Sequence, residues 1–116
     1  MSRDNSENYG WLLVPDGSSG NIELEREMAS RMMRAFDIFK ERQKKYGCGN
    51  IAKRGPMGIL VRMDDKLARL DNTVQHGAGE SADESVTDTC FDVANYALIL
   101  DICRAGKWPG WEPNRG

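Results

Sequence analysis

The sequence predicts an all-α fold, a small helical bundle with three main helices that is completed by homo-oligomerisation. Three observations lead to this class. Apolar residues recur at spacings of three and four in three stretches, no convincing pair of strands is present, and 116 residues fit a single domain. Because a chain this short buries a smaller fraction of its surface than a larger one, we expect it to pair with a copy of itself.

Irregular segments are predicted at both ends of the chain. Residues 1–20 form an amino-terminal arm rich in Asn, Ser, Gly and Asp, where Trp11–Val14 is a short apolar cluster and the one candidate for a strand. Residues 105–116 form a carboxyl-terminal tail that Pro and Gly keep irregular. We expect Trp108 and Trp111 to dock this tail on the core; stacking on a base is the alternative.

The first helix is predicted from about Asn21 to Tyr46, at the start of a helical domain that covers residues 21–104. Gly47 suits the end of this helix, because glycine adopts the left-handed conformation found after helix termini. The intervening residues are strong helix formers, so the apolar ones are expected to face the core. These apolar residues are Met28, Met32, Ala35, Phe36 and Phe39.

The second helix is predicted from about Met57 to Leu70, after the loop GCGNIAKRG. Pro56 suits the first turn of a helix, where its missing N–H has no intrahelical partner. One apolar stripe is expected to face the core, formed by Leu60, Met63, Leu67 and Leu70.

The third helix is predicted from about Asp83 to Arg104. It follows the polar connection DNTVQHGAGESAD, in which His76 is expected to be an ordinary loop residue. Ser81, followed three places later by Glu84, is typical of a capping box at a helix start.

Composition limits the function classes. The 16 basic and 18 acidic residues give a formal charge of -2, which argues against general affinity for nucleic acid or anionic membrane. No apolar run approaches a membrane span, and the amino terminus lacks the apolar core of a signal peptide, so we expect a cytoplasmic protein. One histidine cannot build a catalytic triad or a multi-histidine metal site within one chain. Three widely spaced cysteines indicate reduced, structural thiols.

Polar residues form one file along the third helix. Glu84, Asp88, Asp92 and Asn95 lie within a quarter of its circumference, because steps of four keep side chains nearly in line. Apolar residues surround the file, and unpaired carboxylates in such a setting repel one another unless a cation separates them. Mg²⁺ suits this position because it bridges carboxylates to phosphates. The alternative is that the acids face solvent and that Asp88 or Asp92 pairs with Lys66 or Arg69.

The second helix supplies a partner surface of mixed charge. Asp64 and Asp65 are candidate metal ligands in its middle. The candidate phosphate-binding residues are Lys53, Arg54, Arg62, Lys66 and Arg69. A salt-bridged, exposed face explains the same pattern equally well.

Three segments, FKERQKKYG, VRMDDKLARLDN and ESVTDTCFDVANYALI, together resemble a known family. They are similar to the small, often phage-encoded nucleotide-modification-associated domains that are related to MazG-like all-α nucleoside triphosphate pyrophosphohydrolases. The resemblance covers roughly residues 34–102. It implies a helical dimer or tetramer that binds Mg²⁺ and cleaves between the α and β phosphates.

The family pattern places metal ligands on two helices. By this resemblance Asp88 stands at the later aspartate and Asn95 at the family's asparagine, whereas Glu84 is four residues before Asp88 instead of three. Asp64 and Asp65 replace the first glutamate pair. The second glutamate of that motif has no acidic equivalent here.

We therefore expect a Mg²⁺-dependent pyrophosphohydrolase that converts a (deoxy)nucleoside triphosphate to monophosphate and pyrophosphate. Asp65, Glu84 and Asp88 are the candidate catalytic residues, and Asp64 and Asp92 are further metal ligands. Asn95 is expected to touch the base or orient a ligand carboxylate. One alternative is a module that binds or sequesters a nucleotide without cutting it, and another is a purely structural helical interaction domain.

Overall fold

The computed structural model describes residues 13–77 and 79–113, and helices are the only regular elements in these ranges. The helices are α1 (Ile22–Tyr46), α2 (Gly49–His76) and α3 (Glu80–Arg104). The predicted all-α class with three main helices is therefore confirmed. Of the predicted apolar cluster in the amino-terminal arm, Trp11 and Leu12 lie outside the described residues. Among the described helices, each is too short or too polar to cross a bilayer.

The chain divides into two compact units, residues 1–36 and residues 37–116. In the described part of the first unit, a network of hydrogen bonds holds the start of α1. The Asn21 side chain caps the helix by accepting the Leu24 N–H at 3.0 Å. The Glu25 carboxylate accepts the Ser19 hydroxyl at 2.6 Å and the N–H groups of Asp16, Gly17 and Ser19, each at 2.9 Å. The turn before α1 is thereby tied to the first turns of the helix.

The apolar face predicted for α1 is only partly buried. Ala35 is buried, whereas Met28, Met32 and Phe36 are exposed. Phe39, which belongs to the second unit, packs against that unit's core. The expectation that the α1 methionines are core residues is wrong for the single chain, because helical spacing identifies a face but not what covers it.

The second unit has a core built from α2, α3 and the carboxyl-terminal tail. α2 and α3 form an antiparallel hairpin, since only residues 77–79 separate them. The rings of Phe39 and Trp108 meet edge to face with their centroids 6.3 Å apart. The buried core residues are Ile51, Ile59, Ile99, Cys103 and Trp108.

A bend in α2 at Gly55 was not predicted. The loop expected before Pro56 is helical from Gly49, and Gly55 then breaks the helix with φ 62° and ψ -151°. A Cβ atom at Gly55 would lie 2.6 Å from ring atoms of Trp111, so only glycine allows this approach. Pro56 follows the bend and starts the second part of the helix, in the position that its sequence predicts.

The tail docks on the core, as predicted. Trp108 is buried, and its indole Nε1 donates a hydrogen bond to the Cys48 carbonyl at 3.0 Å. Trp111 packs on the core cluster near the bend. The two tryptophans thus link the tail to the amino-terminal part of α2.

The predicted end of α2 and the predicted start of α3 are wrong, whereas α3 ends at Arg104 as predicted. α2 continues to His76, which is the last helical residue and not a loop residue, and α3 begins at Glu80, before Ser81. Gly79 is the N-cap residue, so Ser81 does not begin the helix. In the polar stretch at the end of α2, the Gln75 side-chain amide donates to the Asp71 carboxylate one turn earlier, a contact that favours the helix.

Candidate functional site

A carboxylate on α3 lies buried between two cations from the other helices. Asp92 Oδ1 accepts a hydrogen bond from Nη1 of Arg42 on α1, and its Oδ2 lies 3.0 Å from Nζ of Lys66 on α2. The side chain of Asp92 is 8% exposed, whereas those of Lys66 and Arg42 are 26% and 48% exposed. Asp92 therefore joins all three helices of the second unit through ion pairs.

These three residues carry a surplus of positive charge. The two cations outnumber the one carboxylate, so the group as a whole has a formal charge of +1. A buried carboxylate is costly unless paired, and the two cations that pair with Asp92 meet that need. A guanidinium has five N–H donors and an ammonium three, so Arg42 and Lys66 keep donors beyond those that Asp92 accepts. Both cations are partly exposed, and an anion can reach them from solvent.

Two polar side chains are buried on α3 near Asp92. Thr89 lies three residues before it and Asn95 three residues after it, so all three share one face of the helix. Asp92 and Asn95 are thus in the interior, as the predicted polar file requires. The other two members of the file, Glu84 and Asp88, are not buried.

The acids toward the amino-terminal end of α3 are open to solvent. Glu84 and Asp88 are exposed, and Thr89 is the first buried residue among those described on this helix. Within the described residues, no ion pair engages either carboxylate. The sheltered setting expected for the acidic file is therefore found only at Asp92.

The acids of α2 are also exposed, and one of them is turned away from Asp92. Asp64 is two residues from Lys66, which corresponds to about 200° around the helix, so it lies on the side opposite the Lys66–Asp92 pair. Asp65 is about 100° from Lys66. The structure thus does not bring Asp64 together with the carboxylates of α3 in the same chain.

Glu84 and Asp88 are the exposed carboxylates of the predicted α3 file that could hold a metal. Across residues 13–77 and 79–113, no three His, Cys, Asp or Glu side chains are grouped closely enough to hold a metal. Mg²⁺ usually takes only one or two carboxylates and completes its shell with phosphate oxygens and water. Glu84 and Asp88 lie one helical turn apart and offer hard oxygen ligands of this kind.

The basic residues predicted to bind phosphate are mostly on the surface. Lys53, Arg54 and Arg69 are exposed, and Arg62 and Lys66 are partly buried. Of these five, Lys66 is the one that the structure places against Asp92.

Sequence reasoning missed the basic carboxyl-terminal end of α1. Arg42 reaches Asp92 from there, and beside Arg42 runs a surface groove that also carries Lys44, Lys45 and Tyr46 as well as Glu41. Lys45 Nζ lies 5.2 Å from the centroid of the Tyr46 ring, in cation–π range. The signal was present in the segment KERQKKY, where four bases occur within six residues of Tyr46.

The cysteines are free thiols, as predicted. Cys103 is fully buried, Cys48 is partly buried and Cys90 is exposed. Burial raises the pKa of the Cys103 thiol, because an apolar setting disfavours the thiolate. Cys103 therefore serves the core and not the chemistry of the site.

The sequence and the fold were also compared with known proteins. Comparison of the chain with protein-family models, with curated proteins and with solved structures gave no match.

Proposed function

We propose that this chain is a cytoplasmic protein that binds the phosphates of a nucleotide and, with Mg²⁺, hydrolyses a (deoxy)nucleoside triphosphate to monophosphate and pyrophosphate. One observation carries the proposal. The cation pair of Arg42 and Lys66 shares a single carboxylate, Asp92, on the same helix that presents Asp88 and Glu84 to solvent one and two turns away. Surplus positive charge suits phosphate, and exposed carboxylates suit the metal that accompanies it.

The proposed roles follow from position and charge. Arg42 and Lys66 neutralise the phosphates, while Asp92 holds both cations in place. Glu84 and Asp88 would hold Mg²⁺, which polarises phosphates and lowers the pKa of a bound water when present. One of these two carboxylates accepts the proton of the attacking water.

Two further residues, Asp65 and Asn95, are included in the proposed site. Asp65 is the α2 acid proposed to join the site. Asn95 is buried one turn beyond Asp92, where its amide is proposed to orient a ligand group.

Pyrophosphate release tests the enzymatic proposal. Purified protein is incubated with a panel of nucleoside and deoxynucleoside triphosphates, with Mg²⁺ or with EDTA. We expect Mg²⁺-dependent release for at least one of them, lowered about 100-fold or more in Asp88→Asn, because that change removes the charge and keeps the size. Asp101→Asn is the matched control, since Asp101 is an exposed acid near the other end of α3. Absence of release from every nucleotide, or equal loss in both variants, would contradict the proposal.

A second candidate function is nucleotide binding without hydrolysis. It is favoured by the pairing of Asp92, because a carboxylate already neutralised by Arg42 and Lys66 has no charge left for a metal. Calorimetry would then show binding, with the nucleotide recovered intact. Lys66→Met should weaken that binding, whereas Lys107→Met, a change of an exposed lysine in the tail, should not. Turnover of the bound nucleotide would exclude this candidate.

A further inference from the structure

The charges of the second unit are divided between its two ends. Residues 71–88, at the turn that joins α2 to α3, contain five acids and neither lysine nor arginine. Residues 41–54, at the junction of α1 and α2, contain five bases and one acid. In the stretches between them, residues 55–70 and 89–100, three bases balance three acids. The formal charge of -2 therefore averages over two ends of opposite sign.

The carboxyl-terminal end of α3 lies at the basic end of this unit. α2 and α3 are antiparallel, and Trp108 donates to the Cys48 carbonyl, so the end of α3 lies beside the start of α2. Within the part of the chain that the structure describes, no ion pair engages the exposed bases found here. These exposed bases are Lys44, Lys45, Lys53, Arg54, Arg104 and Lys107.

The basic end is too far from the acidic turn to be neutralised by it. From Pro56 to His76 the helix is about 30 Å long, at roughly 1.5 Å per residue. At physiological salt, exposed charges are screened over about 8 Å. An anion in solution therefore meets a positive surface at this end, in spite of the net charge of the whole chain.

Helix dipoles account for only part of this accumulation of bases. Lys44 and Lys45 lie in the last turn of α1, and Arg104 lies in the last turn of α3, where the dipole favours a cation. Lys53 and Arg54 lie instead in the first two turns of α2, and the amino-terminal end of a helix disfavours a cation. The first turn of α2 has no acid to offset them. A bound anion would stabilise this arrangement.

An exposed aromatic ring lies among these bases. Tyr46 is the last residue of α1 and is 65% exposed, in the groove that also carries Lys44 and Lys45. A ring surrounded by lysines provides a surface on which a nucleic-acid base can stack, and cations for the neighbouring phosphates. Bases inside a duplex are already stacked on their neighbours, so a ring of this kind favours a single strand.

We propose that the basic end of the second unit binds single-stranded nucleic acid, with one base stacked on Tyr46 and the phosphates of the strand paired with the exposed bases. Charge and stacking recognise the strand without a defined sequence. The site adjoins Arg42, which Asp92 holds, but it uses other cations. It goes beyond the proposed hydrolysis and does not depend on it.

Fluorescence anisotropy tests the proposal with labelled oligothymidylate and oligouridylate, each about 12 nucleotides long, in EDTA. We expect binding that weakens as salt is raised, because phosphate contacts displace counterions. Lys44→Gln combined with Lys45→Gln should reduce the slope of log affinity against log salt by about 1.4, at roughly 0.7 per lost contact. The matched control is Arg26→Gln combined with Arg31→Gln, which removes equal charge from exposed positions of α1 in the first unit and should leave the slope unchanged.

Stacking is tested at Tyr46. Tyr46→Ala should weaken binding about tenfold, because a stacked base loses its ring, whereas Tyr46→Phe keeps the ring and should bind as wild type does. Both changes are at an exposed position, and circular dichroism confirms that each variant is helical. Equal affinity of the alanine variant and wild type would overturn the stacking.

The remaining outcomes separate a single strand from other partners. Absence of binding to either strand at low salt, or equal loss in the arginine control, would overturn the proposal. Equally tight binding of the duplex with oligodeoxyadenylate would show general attraction to polyanions. Binding to vesicles that contain phosphatidylserine, with no binding to the strands, would indicate a membrane surface instead. Both results would overturn the assignment to single strands.

Lys107→Met separates this site from the proposed function. It should weaken binding of the strand but leave binding of a nucleoside triphosphate unchanged. The strand assay contains neither Mg²⁺ nor a triphosphate, so its failure is distinct from failure of the proposed hydrolysis. Equal strand binding by this variant and wild type would remove the tail from the proposed surface.

Discussion

At the scale of single residues, carboxylates of this protein are held in different ways that predict different behaviour. Asp92 is buried and paired with two cations, Asp88 is open to solvent, and Glu25 accepts four hydrogen bonds from the turn before α1. The sequence places all three on predicted helices. It does not distinguish their surroundings, because the partners of Asp92 come from residues 50 and 26 positions away.

Glu25 gives a prediction about acid. The hydrogen bond from the Ser19 hydroxyl, followed by the N–H groups of Ser19, Gly17 and Asp16, lowers the pKa of Glu25 from 4.5 to about 2. Because the pKa is lower in the folded protein, this stabilisation is present above pH 4.5 and is lost as the pH falls toward 2. Glu25→Gln should free the turn at neutral pH and remove that part of the acid dependence.

Amide exchange of Gly17 and Ser19, followed by NMR from neutral pH down to 2, measures the effect. Glu27→Gln is the control, since Glu27 is exposed and pairs with Arg31 only along the helix surface. Equal protection of the turn in wild type and Glu25→Gln would show that the carboxylate does not hold it.

At the scale of the helices, the bend in α2 depends on Gly55. Alanine there meets two obstacles, the unfavourable φ and ψ of the bend and the ring of Trp111 at 2.6 Å. We expect Gly55→Ala to lower the free energy of unfolding by about 3 kcal/mol in urea denaturation. Gly47→Ala isolates the conformational part, because Gly47 has φ 70° and nothing within 4 Å of its Cβ position. A loss no larger than that of Gly47→Ala would mean that Trp111 moves aside readily.

The helix centres and the carboxyl-terminal ends of α1 and α3 could be predicted from sequence, but the extent of α2, the start of α3 and the bend could not. Periodic apolar residues mark the middle of each helix, and Gly47 ends α1 as its chemistry predicts. The polar stretch after Leu70 is helical but has no apolar period that the sequence could reveal. The bend depends on Trp111, which is 56 positions from Gly55 in the chain.

The candidate site could be predicted only in part, because its ion pairs join residues that are far apart in the sequence. Pairing of Asp92 with Lys66 was one of the alternatives that the sequence left open, and it is the arrangement found. The contribution of Arg42 was not foreseen, because a basic run at the end of α1 carries no sign of its partner on α3. Local patterns thus identify the helix face but not the contact between distant segments.

At the scale of the whole molecule, few residues carry the stability of the single chain. In the described part of the second unit, the main apolar cluster has five buried residues and Phe91 is buried as well, whereas in the described part of the first unit only Ala35 is buried. A core this small explains why large apolar side chains such as Met28 and Met57 stay exposed.

Hydrogen exchange should reveal this uneven burial within one helix. The amides of Leu24 to Met33 are expected to exchange faster than those of Phe39 to Gln43, because the large apolar side chains of the first stretch are exposed, whereas Phe39 packs on the core of the second unit and Arg42 pairs with Asp92. Mass spectrometry of peptides along α1 measures the difference. Uniform protection from Ile22 to Tyr46 would contradict it.

The hydrogen bond from Trp108 to Cys48 has a consequence for how this sequence tolerates change over evolution. Because the acceptor is a main-chain carbonyl, any small side chain that fits at position 48 leaves the hydrogen bond intact. Substitutions there are therefore expected to be tolerated. Position 108 must supply a ring that both fills the interior and donates a hydrogen bond. Mutational scanning would therefore find a permissive site and an intolerant one at the two ends of a single bond.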